Sequence, residues 1–192
     1  MTGDSLWSLY EKYQPFAPNV KILEIGPGYG RLLKTALKRK IPFESYTALE
    51  LSEARVDRLR LEFDLSKIRI IQGNIDTWKH PCTFDVVICS STFEHLFPNC
   101  RQALTTVYHH LAPTGVVFID FIGNLQWKVF RNLTWKFVYF EPNGTYVRVY
   151  PKEELAKLFA EHGFMVRAID TCVLGKGRRG PVSRLVVVAA RA

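Results

Sequence analysis

The chain has 192 residues, of which 47% are apolar and 23% charged, and this composition predicts one globular domain spanning residues 1–192. It has no run of about 18 apolar residues and no basic-then-apolar N-terminal stretch, so we expect no membrane span, no secretory signal and a cytoplasmic location. The formal net charge of +8 favours anionic partners without selecting one, and the four cysteines lack zinc-site spacing, so we expect no metal.

Short β-branched runs alternate with amphipathic stretches along the chain. Residues 1–19 precede the first strand and are expected to form a short helical cap. The predicted elements are then, in order, strand 20–25, helix 30–40, strand 45–51, helix 53–64, strands 68–73 and 84–91, helix 100–112, strand 116–123, helix 152–163, and strands 164–170 and 183–191.

This alternation indicates an α/β fold with a mostly parallel sheet covered by helices on both faces. Only a glycine-rich basic segment separates the last two strands, which suits an antiparallel hairpin better than a crossover. We therefore predict a Rossmann-like, doubly wound, seven-stranded sheet whose last strand is antiparallel. The densest basic segment of the chain, residues 175–184, is expected to be a solvated loop.

The stretch "EIGPGYGR" follows the first predicted strand and carries three glycines at alternate positions. Glycines let a ligand approach the backbone closely, and the helix that follows favours negative charge. A dinucleotide fingerprint would need its third glycine at position 31, where Arg31 stands. Glu50 ends the second strand, where a carboxylate can hold ribose hydroxyls. The pattern favours a nucleoside that bears an amino acid.

These residues resemble the class I S-adenosylmethionine-dependent methyltransferases, in particular the small-molecule branch with the ubiquinone/menaquinone-type enzymes. The resemblance spans about residues 20–191 and rests on the glycine loop, Glu50 and the segments "GNID", "FDVVICSSTFEHL", "LAPTGVVFID" and "EELAKLFAEHGF". It implies a methyltransferase that uses S-adenosylmethionine and releases S-adenosylhomocysteine.

The resemblance also implies roles for individual positions. The glycine loop would surround the methionine part of the cofactor, Glu50 would hold the ribose, and Asn74 would bond adenine through its carbonyl oxygen. An aromatic residue of the N-terminal helix could cap the site, although simple packing explains it equally well. The expected cofactor contacts are Tyr13, Glu24, Gly26, Gly28, Gly30, Glu50, Leu51, Asn74, Ile75, Cys89 and Ser90, the last two through their backbone.

Two residues are candidates for the base that an oxygen acceptor needs. His95 follows the fourth strand, and imidazoles exchange protons near neutral pH. Asp120 ends the fifth strand and would face the same cleft. For His95 a structural role at a helix entry is the competing interpretation.

The segment 121–151 is rich in aromatic and basic residues. The turn signal Pro142-Asn143-Gly144 predicts a β-hairpin. We interpret the segment as a substrate lid, with packing on the core or on a second subunit of a homodimer as the alternatives. The expected substrate contacts are Trp127, Trp135, Tyr139, Tyr146 and Arg148.

The sequence therefore predicts methyl transfer to an oxygen, or secondarily a nitrogen, of a small molecule such as a sugar, a glycan, an anionic compound or a natural product. An RNA methyltransferase is a weaker alternative, because no separate RNA-binding domain fits in this length. A non-catalytic subunit of the same fold and a dehydrogenase are the remaining alternatives.

Overall fold

The computed structural model describes residues 3–63, 66–122, 138–140, 145–177 and 180–192, and for residues 138–140, 173–177 and 180–183 it describes the backbone alone. The helices in these ranges are α1 (Gly3–Tyr13), α2 (Arg31–Arg39), α3 (Glu53–Glu62), α4 (Arg101–His110), α5 (Lys152–Glu161) and a 3₁₀ helix (Phe93–His95). The strands are β1 (Lys21–Ile25), β2 (Ser45–Glu50), β3 (Ile68–Gln72), β4 (Phe84–Cys89), β5 (Leu111–Ile122), β6 (Val138–Phe140), β7 (Tyr146–Arg148), β8 (Phe164–Gly177) and β9 (Gly180–Arg191).

The main sheet has seven strands in the order β3-β2-β1-β4-β5-β9-β8. The pairs among β1 to β5 are parallel, whereas β9 pairs antiparallel with both β5 and β8. The last strand therefore runs against the six others, and the predicted topology is confirmed. Strand order reverses at β1 and β4, which is where such sheets open a crevice for ligands.

Alternate residues of the central strands enter two different cores, because successive side chains of a strand point to opposite faces. On β1, Ile22 belongs to the core covered by α1, α2 and α3, and Leu23 to the core covered by α4 and α5. Helix α1 is fixed to α2 by Trp7, whose Nε1 donates a hydrogen bond to the Leu32 carbonyl at 2.9 Å. The predicted helices on both faces and the predicted N-terminal helix are thus present.

The expectation of a loop at 175–184 is wrong, because most of this segment is strand. Strand β8 continues to Gly177 and β9 begins at Gly180, and their ladder pairs Val173 with Ser183 and Gly177 with Gly180. Continuing the ladder satisfies backbone N–H and C=O groups within the protein. The basic segment is therefore the end of a long β-hairpin.

A second, two-stranded sheet lies in the aromatic-rich segment. Strands β6 and β7 are antiparallel, with Val138 opposite Arg148 and Phe140 opposite Tyr146. The predicted hairpin is confirmed, while its turn signal at 142–144 lies outside the described residues.

Candidate active site

A cavity of about 660 Å³ lies at the carboxyl ends of β1, β2, β3 and β4. We call the part formed by the glycine loop and the ends of β2, β3 and β4 the loop end. Its lining residues are Ile25, Gly26, Pro27, Gly28, Tyr29, Arg31, Leu49, Glu50, Leu51, Arg55, Gly73, Asn74, Ile75, Ser90 and Ser91. We call the part formed by the 3₁₀ helix and the residue before β7 the hairpin end. It is lined by Thr92, His95, Leu96 and Thr145.

Gly28 is where the glycine loop leaves open space. A Cβ added at Gly26 would lie 2.1 Å from Oγ1 of Thr92, whereas one added at Gly28 would meet no heavy atom of the described residues within 4 Å. Both glycines have positive φ, 65° and 61°, which side-chain-bearing residues rarely adopt. Gly30, also at positive φ, would bring a Cβ within 2.9 Å of Phe63. Gly26 and Gly30 thus make room for protein atoms, and Gly28 leaves room for a ligand.

Glu50 closes the glycine loop against the end of β2. It is 3% exposed, and its Oε2 accepts the Gly28 N–H at 3.0 Å. Its Oε1 accepts the Ser52 N–H at 3.0 Å and lies 3.8 Å from the Arg55 guanidinium. The carboxylate is therefore oriented before any ligand arrives, and each oxygen keeps a further lone pair.

Glu24 lies behind the cavity wall. It is 2% exposed, and its Oε2 accepts the Tyr46 hydroxyl at 2.6 Å. Burial raises the pKa of Glu24 to about 7, against the lowering effects of the Tyr46 hydrogen bond and of Arg31. This carboxyl supports the strand that leads into the glycine loop.

Two other predicted cofactor contacts also lie away from the cavity lining. The Tyr13 hydroxyl donates to Oδ2 of Asp170 on β8 at 2.8 Å. Cys89 is fully buried at the end of β4, and burial raises the pKa of its thiol well above the usual value. Both side chains face protein.

The residues after β3 form the other wall of the loop end. Ile75 is 5% exposed and belongs to the core, so it presents a fixed apolar edge. Asn74 accepts the Asp76 N–H through Oδ1 at 3.0 Å. Leu51 is 67% exposed at the rim.

A row of polar groups runs from the cavity into the sheet. Arg31 Nη2 donates to Ser90 Oγ at 2.7 Å, and Ser90 Oγ donates to Asp120 Oδ2 at 2.5 Å. The Ser91 N–H donates to Asp120 Oδ1 at 2.8 Å. Asp120 is fully buried and also ion-paired to Arg184. Asp120 thus lies behind Ser90 instead of lining the cleft.

His95 lines the hairpin end of the cavity. Its Nδ1 lies 2.9 Å from the carbonyl oxygen of Tyr146. A carbonyl oxygen can only accept, so Nδ1 is the donor and Nε2 of the neutral ring carries the lone pair. In the neutral ring, the acceptor nitrogen Nε2 is therefore held in place by the contact of Nδ1 with a residue 51 positions later.

The predicted substrate contacts lie in different places. The Tyr146 hydroxyl donates to the Pro98 carbonyl at 2.7 Å, and its ring meets Phe97 edge-on at 5.2 Å. Arg148 pairs with Glu154 at 2.7 Å and stacks over Tyr150. Trp127 and Trp135 lie outside the described residues, and Tyr139 is described by its backbone in β6.

Comparison with known proteins assigns the chain to a family. A family described as "Methyltransferase domain" matches residues 8–169, most of the chain. The chain belongs to this methyltransferase family.

Relatives of the methyltransferase domain act on different molecules. A malonyl-[acyl-carrier protein] O-methyltransferase of Priestia megaterium is 28% identical over 109 residues, 57% of this chain and 39% of the relative. A ribosomal RNA small subunit methyltransferase A of Mycoplasma mycoides is 39% identical over 57 residues, 30% of this chain and 20% of the relative. The chain thus spans well under half the length of these curated relatives.

Solved structures share the fold. The glycopeptide N-methyltransferase MtfA, solved with S-adenosyl-L-methionine, superposes with a TM-score of 0.73 at 19% identity. The superposition covers 100% of this chain and 94% of MtfA.

Several residues that line the cavity were not among the predicted contacts, and they include Arg31, Thr92, Leu96 and Thr145. Arg31 could have been found, because the first residue of a helix after a glycine loop faces the ligand edge of the sheet. Thr145 could not, because its place depends on how the hairpin folds back.

Within the described ranges, no group of three or more His, Cys, Asp or Glu side chains could hold a metal ion. No helix of the described residues is long and apolar enough to cross a membrane.

Proposed function

We propose that this protein is an S-adenosylmethionine-dependent methyltransferase that methylates an oxygen atom of a small molecule. The observation that carries the proposal is the loop end, where open space at Gly28 adjoins the oriented carboxylate of Glu50 and the guanidinium of Arg31. Arg31 stands where a dinucleotide site would need its third glycine. Membership of the methyltransferase family supports the same reading.

The nucleoside half of the cofactor fits the ends of β2 and β3. Glu50 offers acceptor oxygens to two ribose hydroxyls, and its contacts with Gly28 and Ser52 hold it in one orientation. Ile75 and Leu51 supply apolar surface for adenine. Asn74 keeps a second lone pair on Oδ1 for the adenine amino group.

The amino-acid half fits the glycine loop and the start of α2. A guanidinium and a helix N-terminus both favour a carboxylate, so Arg31 receives the carboxylate of the cofactor. The backbone at Cys89 and Ser90 receives its amino group. Tyr13, Glu24 and the Cys89 side chain then act indirectly, by supporting the elements that carry these groups.

His95 is the proposed general base. The bound cofactor supplies a methyl group on a sulfonium, which is activated without further protein chemistry. His95 Nε2 would accept the proton of the acceptor hydroxyl when that oxygen is methylated. The Tyr146 carbonyl holds the ring in the tautomer that this step requires. Asp120 is less suited, because each of its oxygens already accepts hydrogen bonds.

The segment 121–151 is proposed as the lid over the acceptor. Its described part touches the hairpin end directly, through the Tyr146 carbonyl at His95 and the Tyr146 hydroxyl at Pro98. Arg148 is engaged by Glu154, so it is less available to an anionic acceptor than the sequence suggested. Sugars, glycans and phenols are therefore tried first, with carboxylates next and amines after them.

The reducing cytoplasm is the proposed compartment. All four cysteines, at positions 82, 89, 100 and 172, are unpaired.

The first test is calorimetry with S-adenosylmethionine and S-adenosylhomocysteine, with NADH as the control. Binding of both sulfur ligands and not of NADH is expected. Binding of NADH alone would replace the proposal with a dehydrogenase, and binding of none would favour a non-catalytic subunit. An acceptor screen that includes ribosomal RNA, followed by S-adenosylhomocysteine release, then separates small molecules from RNA.

A further inference from the structure

We infer that Arg184, on the antiparallel strand β9, is a positioning residue for the proposed methyl transfer. Its guanidinium connects Asp120, which holds Ser90 beside Arg31, to the 3₁₀ helix that carries His95. The inference rests on the proposed function. Arg184 touches neither end of the cavity, so it would act through Asp120 and Glu94.

The guanidinium of Arg184 bridges carboxylates from two different elements. Its Nε donates to Asp120 Oδ1 at 3.0 Å, and Nη2 forms an ion pair with the same oxygen. Its Nη1 lies 2.7 Å from Oε1 of Glu94. Asp120 belongs to β5 and Glu94 to the 3₁₀ helix, so one side chain of β9 fixes the relative position of both elements.

The Asp120 branch reaches the loop end of the cavity. Asp120 accepts the Ser90 hydroxyl, and Ser90 in turn accepts from Arg31. A serine hydroxyl that donates to a carboxylate presents its lone pairs in the other direction. The orientation of Ser90, and with it that of Arg31, therefore depends on Asp120 remaining in place.

The Glu94 branch reaches the hairpin end. Glu94 is 1% exposed and immediately precedes His95 in the 3₁₀ helix. Within the part of the chain that the structure describes, its Oε2 has no hydrogen-bond partner. Arg184 thus supplies the ion pair that holds this buried carboxylate and the short helix around it.

Buried ion networks are costly to form, and well-packed apolar residues often replace them without loss of stability. Burial opposes the charge of Arg184, but Asp120 and Glu94 outweigh it and raise the pKa of the guanidinium above its ordinary value. Arg184 therefore stays charged. A lysine would keep the charge but lacks the planar fork, so it could not hold two carboxylates in this geometry.

The test compares two ligands on the whole chain. S-adenosylhomocysteine carries the amino-acid part that Arg31 would hold, whereas 5′-methylthioadenosine has the nucleoside and thioether without it. For Arg184→Lys we expect about tenfold weaker binding of S-adenosylhomocysteine and a change of less than about twofold for methylthioadenosine, since a charged hydrogen bond is lost for one ligand alone. General loosening of the fold would weaken both ligands.

Arg191→Lys is the matched control. Arg191 lies on the same strand and is also engaged, because it donates to the Tyr108 carbonyl at 2.6 Å and stacks on that ring. It has no part in the polar row. Equal losses in Arg184→Lys and Arg191→Lys would overturn the inference.

Asp120→Asn tests the same connection if Arg184→Lys does not fold. The amide keeps an acceptor for Arg184 but cannot accept the Ser90 hydroxyl at its nitrogen, so the same ligand-selective loss is expected. In the Asp120→Asn, Ser90→Ala double variant, the loss of affinity for S-adenosylhomocysteine should be smaller than the sum of the two single losses, because both substitutions interrupt the same chain of hydrogen bonds. Wild-type binding by Asp120→Asn, or full additivity, would contradict the inference. If the wild type binds no S-adenosylhomocysteine, the proposed function itself fails.

Discussion

The two ends of the cavity are built in different ways. At the loop end, the main contacts join the end of one strand to its neighbour, as when Glu50 accepts the N–H groups of Gly28 and Ser52. At the hairpin end, Tyr146 contacts both His95 and Pro98, and each of these residues lies about fifty positions before it in the sequence. The first end follows from the strand-turn-helix pattern, whereas the second depends on a hairpin folding back onto the sheet.

Filling the space at Gly28 should abolish ligand binding at the loop end. Gly28→Phe would extend a ring into the cavity from a Cβ position that meets no heavy atom of the described residues within 4 Å, so we expect calorimetry to detect no binding of S-adenosylhomocysteine. Gly28→Ala is the control, because both variants carry the strain of a positive φ and differ in volume. Folding is checked by circular dichroism. Equal binding by the Phe variant and the wild type would mean that the ligand site lies elsewhere.

Removing the buried carboxyl beneath the loop should change how stability depends on pH. The pKa of Glu24 is about 7 in the folded chain, against 4.5 as its ordinary value. Below pH 4.5 both folded and unfolded chains hold the proton, and above pH 7 the folded chain bears the full cost of a buried charge. Each pKa unit corresponds to 1.36 kcal/mol, so this cost is about 3 kcal/mol.

Glu24→Gln should therefore gain stability over the wild type as pH rises from 4.5 to 8, by up to about 3 kcal/mol. The measurement is the free energy of unfolding by denaturant at several pH values. Glu44→Gln is the control, since Glu44 is exposed and pairs loosely with Lys21 at 3.7 Å. A constant difference between Glu24→Gln and the wild type across this range would show that Glu24 ionises as freely in the folded chain as in the unfolded one.

The loop end could be predicted from the sequence because its determinants are local. Glycines at alternate positions, an acid at the end of the second strand and parallel strands together place Gly28 and Glu50 at one edge of the sheet. The depth of each side chain could not be predicted. Glu24 and Asp120 follow the strand pattern as well as Glu50 does, yet they lie behind the cavity wall. Which acid faces a ligand depends on packing that the pattern does not contain.

At the hairpin end, removing the proposed proton acceptor should lower turnover and leave cofactor binding unchanged. His95→Asn keeps an N–H near the position of Nδ1, which can still donate to the Tyr146 carbonyl, but it has no group in place of Nε2. General bases contribute at least about 100-fold, so we expect a loss of that size in kcat on the acceptor identified by the screen.

His95→Ala and His109→Asn complete the comparison. If His95 acts as the base, the Ala and Asn variants lose similar activity; if it serves mainly to hold the hairpin, Asn restores what Ala loses. His109 is exposed on α4, away from the cavity lining, and its substitution should change neither activity nor binding.

The hairpin end was only partly predictable. The aromatic segment and its turn signal predicted a hairpin, and the strand-end position of His95 placed it near the cleft. The contact that orients His95 uses a backbone carbonyl, which has no sequence signature. The ion pairs of Arg184 with Glu94 and Asp120 could not be predicted for a related reason. They join three elements whose arrangement only the folded sheet defines.

The smallest effect should come from loosening the hairpin without touching the carbonyl that holds His95. Tyr146→Phe removes the hydroxyl that donates to Pro98 at 2.7 Å and keeps the ring beside Phe97. One exposed hydrogen bond contributes about 1 kcal/mol, so kcat/KM should fall about fivefold while the affinity for S-adenosylhomocysteine is unchanged. Tyr108→Phe, on α4, is the control for losing a phenol elsewhere. A drop in cofactor affinity in Tyr146→Phe would mean that the two ends of the cavity are one cooperative structure, since the hairpin would then stabilise the glycine loop as well as the base.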